Sequence, residues 1–236
     1  MSIANDAVLL ITGASSGIGA ATARLLAAPG RILHLQGRDR PRLAEVERDL
    51  QATGAEVLTH PLDLEDRAAV DDAAAALASS IPRLDVLVHS AGMISLNAVG
   101  DASIADLDRQ YAVNLRAPFA LTTALTPALI AARGQAVFVN SGAGLRAGPA
   151  WSQYAATKFG LRAMADAYRA EVESDGVRVT TVYPGRTATP MQAEVHRFEG
   201  REYDESAFAR PEDVASSIIH ALDMPRSAIV PEVMVR

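Results

Sequence analysis

Tyr154 and Lys158 stand four residues apart, and Lys158 is the single lysine in a chain that carries twenty-one arginines. On a solvated surface a bias towards arginine meets little resistance. It fails where a compact ammonium must sit between two hydrogen-bonding partners, because a guanidinium is larger and planar. Positions i and i+4 of a helix share one face, so the sequence predicts a phenol and an ammonium side by side. A tyrosine hydroxyl alone titrates near pH 10, and a neighbouring cation lowers that value by favouring the phenolate. Thirteen residues before the tyrosine lies Ser141, whose hydroxyl can hold a substrate oxygen. Carbonyl reduction needs a hydride donor, a proton donor at the oxygen, and stabilisation of the charge that develops there. Ser141, Tyr154 and Lys158 supply the last two.

A site for the hydride donor is written near the N-terminus. An apolar run leads into Thr12-Gly13-Ala14-Ser15-Ser16-Gly17-Ile18-Gly19, and a helical pattern opens at once. The glycines allow a tight strand-to-helix turn and let a pyrophosphate approach the backbone, with the helix N-terminus aimed at the anion. Ser15 and Ser16 add hydroxyl donors. The second strand pattern ends in Gln36-Gly37-Arg38. Sites of this kind usually present a carboxylate to a free ribose 2′-hydroxyl. Here Gly37 opens space and Arg38 presents a guanidinium, with Arg40 and Arg42 nearby, a set suited to a 2′-phosphate and hence to NADP. The alternative is a surface arginine in an arginine-rich chain.

These residues need a frame, and the hydrophobic pattern provides one. Strand-like runs fall at 8–12, 32–36, 56–60, 86–89, 136–140, 178–183 and 228–231, with helical patterns near 18–28, 41–53, 66–79, 104–132, 152–174 and 211–223. Near-continuous apolar strands belong to parallel sheets covered on both faces. The alternation predicts an α/β fold, a doubly wound seven-stranded sheet with helices on both faces, over one domain of 236 residues. The stretch 186–210 reads as a long irregular loop, a lid.

The glycine loop, Asn114, Ser141 and Tyr154-x3-Lys158 together resemble the short-chain dehydrogenases/reductases, over essentially the whole chain. The resemblance implies a Rossmann-type fold and an oxidoreductase with Tyr154 as general acid/base. Lys158 would also bind the nicotinamide ribose, Ser141 would hydrogen-bond the substrate oxygen, and Asn114 would hold a water that relays protons to Lys158. Cofactor contacts would come from Gly13, Ser15, Ser16, Gly17, Ile18 and Gly19, from Arg38, and from Asp63-Leu64 at the adenine, where Asp63 doubles as a possible helix cap. Others would come from Ser90, Ala91 and Gly92, and from Pro184, Gly185, Thr187 and Thr189 around the nicotinamide. The family's usual Asn-Asn-Ala-Gly is here His89-Ser90-Ala91-Gly92, and Thr187 replaces a common aliphatic residue.

The remaining features bound the function. A formal charge of −6 with no basic run argues against nucleic acid. The absence of cysteine excludes thiolate metal sites and fits a reducing cytoplasm, His89 has no partner histidine at metal spacing, and no metal is expected. The run Val8 to Ile11 is too short for a signal peptide or a membrane span. Pocket walls from Met93 to Leu96, from Gly142 to Gln153 and from the lid are mainly apolar, which suits an uncharged or weakly polar carbonyl compound. A 3-oxoacyl thioester on a carrier, and a nucleotide-sensing regulator without catalysis, are the competing readings. Apolar residues on several faces of the long helices, among them Leu115, Phe119, Leu125, Phe159, Leu161 and Met164, join the resemblance in implying a homodimer or homotetramer.

Overall fold

In the computed structural model, residues 3–236 are described. The apolar runs form β1 (Val8–Thr12), β2 (Ile32–Gly37), β3 (Glu56–Pro61), β4 (Val86–His89), β5 (Gln135–Val139), β6 (Arg178–Pro184) and β7 (Glu232–Val235). All pair in parallel, in the order β3-β2-β1-β4-β5-β6-β7. The helices are α1 (Gly17–Leu26), α2 (Arg40–Gln51), α3 (Arg67–Ser80), α4 (Ile104–Tyr111), α5 (Ala117–Ala132), α6 (Ser152–Val172), α7 (Pro190–Glu199) and α8 (Pro211–Asp223). Successive strand residues face opposite sides. Leu9 and Ile11 of β1 therefore join the core under α1, α2 and α8, while Leu10 joins the one under α3, α5 and α6.

Chain order reverses between β1 and β4, and in open α/β sheets such a switch point opens a crevice at the carboxyl ends of the strands. Every strand-end motif read from the sequence empties into that crevice.

Three expectations need correction. The last strand is 232–235 rather than 228–231, in register Thr181↔Glu232 to Pro184↔Val235. The apolar run before it is an approach segment, held by Thr180 Oγ1 donating to the Val230 carbonyl and by Thr181 N–H donating to Pro231 O. An edge strand alternates its burial, so Met234 is exposed while Val233 and Val235 pack on the core. The supposed lid loop contains α7, whose N-cap Thr189 accepts the Gln192 N–H at 3.2 Å. The long helix from 104 is interrupted by a π turn at Ala112–Arg116. Pro118 begins the next segment without an N–H to give, so the wider turn costs little there. Ile104–Ala132 is long and apolar enough to cross a membrane by length and composition, yet Leu121, Leu125 and Leu129 are buried against the sheet and α3.

Candidate active site

Tyr154 and Lys158 occupy one face of α6, and both are buried. The Lys158 Nζ lies 5.7 Å from the centre of the Tyr154 ring and donates to the Val139 carbonyl at 3.1 Å. Ser141, just past β5, hydrogen-bonds Tyr154, and its Oγ accepts the Ala143 N–H at 3.1 Å. The four residues of the expected constellation come together, but their electrostatics differ from expectation. Burial pushes the Tyr154 hydroxyl up to about 12, and the bond to Ser141 only partly offsets it. Burial pushes Lys158 down to about 8. Loss of water penalises the charged form of each group, and here it outweighs the cation–phenol attraction assumed from sequence. Tyr154 therefore stands protonated at neutral pH, the form that gives a proton to a carbonyl oxygen.

Asn114 projects from the π turn and is fully buried. Its Oδ1 accepts the Met93 N–H at 2.9 Å, and its Nδ2 donates to Met93 O at 2.9 Å and to Thr157 Oγ1 at 3.0 Å. Both amide hydrogens are thus spent on the protein. Thr157 in turn donates to the Tyr154 carbonyl at 2.8 Å, so Asn114 braces α6 against the loop after β4.

The phosphate loop has the form an anion needs. Gly13 has φ +68°, and a Cβ there would stand 2.7 Å from Ala91 Cα. The N-terminus of α1 carries no side-chain cap, whereas Asp39, Asp66, Ser103 and Thr189 cap α2, α3, α4 and α7. Free N–H groups and the helix dipole are left to a ligand. The cleft, about 1360 Å³, runs from Arg38 and Asp63 past Ser90 and Gly92 to Tyr154 and Thr187. A side chain at Gly92 would stand 3.5 Å from Asn114 Oδ1 and 3.9 Å from Lys158 Nζ, closing the passage between them. The residues present fit a dinucleotide.

Residues 7–200 match the model of the family described as short chain dehydrogenase. The chain belongs to that family. It is 36% identical over 238 residues to dehydrogenase/reductase SDR family member 7B of Bos taurus, covering 95% of this chain and 73% of that one. It is 34% identical over 233 residues to a glycine betaine reductase of Emericella nidulans, covering 97% of this chain but only 18% of that much longer protein. Among solved structures, a metagenomic short-chain oxidoreductase in complex with NADP is 31% identical, with a TM-score of 0.82 over 99% of this chain and 98% of that one.

Several residues that shape this short-chain dehydrogenase site escaped the sequence reading. Asn140 Oδ1 accepts the Ser141 N–H at 2.8 Å and Nδ2 donates to Lys158 O at 3.0 Å, tying serine and lysine together. Gln36 Oε1 accepts the Gly13 N–H and its Nε2 donates to Leu62 O. Thr12 Oγ1 accepts both the Ser90 and Ala91 N–H groups at 3.2 Å, so the amides lost from the family motif leave this turn braced from β1. The one available signal was a polar residue ending an apolar strand. His89 is structural, with Nε2 2.9 Å from Thr122 Oγ1 and its ring stacked on Phe138. Asp63 does not cap α3; that is Asp66, while Asp63 Oδ1 accepts the Glu65 N–H. The Thr187 hydroxyl donates to Gly185 O at 3.1 Å and is spent locally.

Beyond Tyr154 the cleft is walled by Ile94, Ala143, Trp151, Met191 and Val195. Trp151 meets the Tyr154 ring edge-on at 5.9 Å. Of the arginines on this side of the cleft, Arg186 is held in a bidentate pair with Glu199 of α7, while Arg146 and Arg236 are exposed.

Proposed function

We propose that this short-chain dehydrogenase is an NADP-dependent enzyme that interconverts an uncharged ketone or aldehyde with its alcohol. The observation that carries the reading is the Ser141–Tyr154–Lys158 cluster at the switch-point cleft, its tyrosine and lysine buried and Tyr154 held protonated. Bound nicotinamide would supply the hydride. Ser141 and Tyr154 hold the carbonyl oxygen, Tyr154 gives it a proton, and Lys158 steadies the phenolate left behind. Asn114 keeps α6 in place and, with Lys158, lines the route by which the proton is replaced.

NADP over NAD rests on Arg38 at the cleft end beyond the phosphate loop, and on the absence of an acid at position 37 or 38. The substrate class rests on the apolar walls, in which the arginine nearest the lid is already paired. The intact catalytic set favours an enzyme over a nucleotide sensor. Exposed Phe119 and Phe159 support self-association as a homodimer or homotetramer, and the acidic, cysteine-free composition supports a cytoplasmic setting. The test is a panel of ketones and aldehydes with NADPH and NADH, followed by loss of reduced-cofactor absorbance. Turnover of apolar ketones with NADPH is the expected result. Turnover confined to charged keto acids overturns the substrate class, and equal or better use of NADH overturns the cofactor assignment.

A further inference from the structure

Arg38, the residue on which cofactor choice turns, is already engaged. Its Nη1 lies 3.4 Å from Glu65 Oε1 across the cleft. The arginine side chain is 70% exposed and the glutamate 29%, so the carboxylate is the better anchored partner. Glu65 is held through its backbone on both sides: its N–H donates to Asp63 Oδ1 at 3.0 Å and its carbonyl accepts from Arg116 Nη2 at 2.7 Å. Next to this pair, Arg42 is bridged to Asp39 at 3.4 Å. Two arginines, Arg38 and Arg42, and three acids, Asp39, Asp63 and Glu65, thus line this end of the cleft, so its arginines are outnumbered by carboxylates. Asp39 has a structural task as the cap of α2. The carboxylate of Glu65 has none of that kind, and the hydrogen bond it accepts comes from Arg38.

A 2′-phosphate that reaches Arg38 must share the guanidinium with Glu65 or displace it, and in either case sits beside a carboxylate of its own sign. A cofactor with a free 2′-hydroxyl meets neither penalty. We propose that Glu65 is a cofactor-selecting residue, which occupies Arg38 and so narrows the preference for NADPH over NADH. The proposal rests on the NADP-dependent reading above.

The experiment uses the full chain and four proteins: wild type, Glu65→Gln, Arg38→Ala and the double variant. Binding of NADPH and NADH is titrated through the emission of Trp151, the sole tryptophan, which lines the same cleft. An exposed ion pair and one like-charge repulsion together set the scale. Glu65→Gln is expected to tighten NADPH about 3- to 20-fold and to move NADH less than about twofold. In the Arg38→Ala background most of that gain should vanish, as a coupled pair requires. No gain for NADPH in Glu65→Gln, or an equal gain for both cofactors, overturns the proposal while leaving the NADP reading intact if Arg38→Ala weakens NADPH. Should Arg38→Ala leave NADPH binding untouched, the NADP reading itself fails and the proposal with it.

Discussion

Burial drives Tyr154 and Lys158 towards their neutral forms from opposite sides, up to about 12 and down to about 8. The tyrosine thereby keeps its proton, and under the proposed mechanism its removal should separate chemistry from binding. Tyr154→Phe is expected to lower kcat by roughly 10²- to 10⁴-fold, the usual worth of a positioned acid, with little change in NADPH affinity; stopped-flow turnover and fluorescence titration check it. Lys158→Arg keeps the charge but loses the compact head that reaches Val139 O. Misplacement by about 1 Å can cost on the order of 100-fold in rate. Because Lys158 is only 3% exposed, the larger side chain should also cost about 1–3 kcal/mol of stability through overpacking. A variant that keeps most of its activity from pH 6 to 9 would show that the lone lysine has no special task.

At the scale of elements, the phosphate turn and α7 carry the sharpest expectations. Gly13→Ala must tolerate a positive φ and a Cβ 2.7 Å from the Ala91 backbone. Strained backbone and overpacking of this kind each cost about 1–3 kcal/mol. A lower thermal midpoint together with weakened binding of both cofactors is expected, because the turn after β1 and the turn after β4 would be forced apart. In α7, the Arg186–Glu199 pair fastens the end of the helix to the loop after β6. Glu199→Gln should loosen that clasp and raise KM for the carbonyl substrate several-fold, while kcat changes less, since no reacting group is touched. A fall in kcat at constant KM would assign the pair to chemistry instead. Trp151 follows Ala150, a non-glycine residue at φ +66° whose carbonyl accepts the Asn97 N–H at 3.0 Å. That bond joins the loops after β4 and β5 and explains how a disfavoured backbone conformation is held where the tryptophan walls the pocket.

Across the whole molecule, acid sensitivity follows from histidines kept neutral. Burial, and then the charge of His60, takes His34 down to about 4, and burial takes His89 down to about 3. An unfolded histidine binds its proton near pH 6.5, so between that pH and these lower values the unfolded chain holds more protons than the folded one. Stability therefore falls as pH drops from 6.5 towards 4, by up to about 1.4 kcal/mol per pH unit for each group. The thermal midpoint should decline across pH 6.5 to 4.5, before most carboxylates protonate, and His34→Asn should flatten the decline. A midpoint that stays level over that window would refute the assignment.

Composition and order of residues determined the α/β class, six of the seven strands and the membership of the Ser141–Tyr154–Lys158 cluster that the fold assembles. Those signals are local: continuous apolar runs between helical periods, glycines at a turn, and a tyrosine and lysine one helical turn apart. The seventh strand was read four residues early, because an edge strand such as Glu232–Val235 needs only alternating burial and resembles a loop in a short window. Helix α7 was not legible, since its apolar face acquires meaning only when Val195 packs with Ile94, Tyr154 and Ala155. Tertiary structure alone decided the electrostatics. Burial depth reversed the expected direction for Tyr154, and the fold set Glu65 against Arg38 from twenty-seven residues away. Spacing along the chain can place two side chains on one helix face. It cannot say how much water is left around them, or which charge from a distant turn is waiting there.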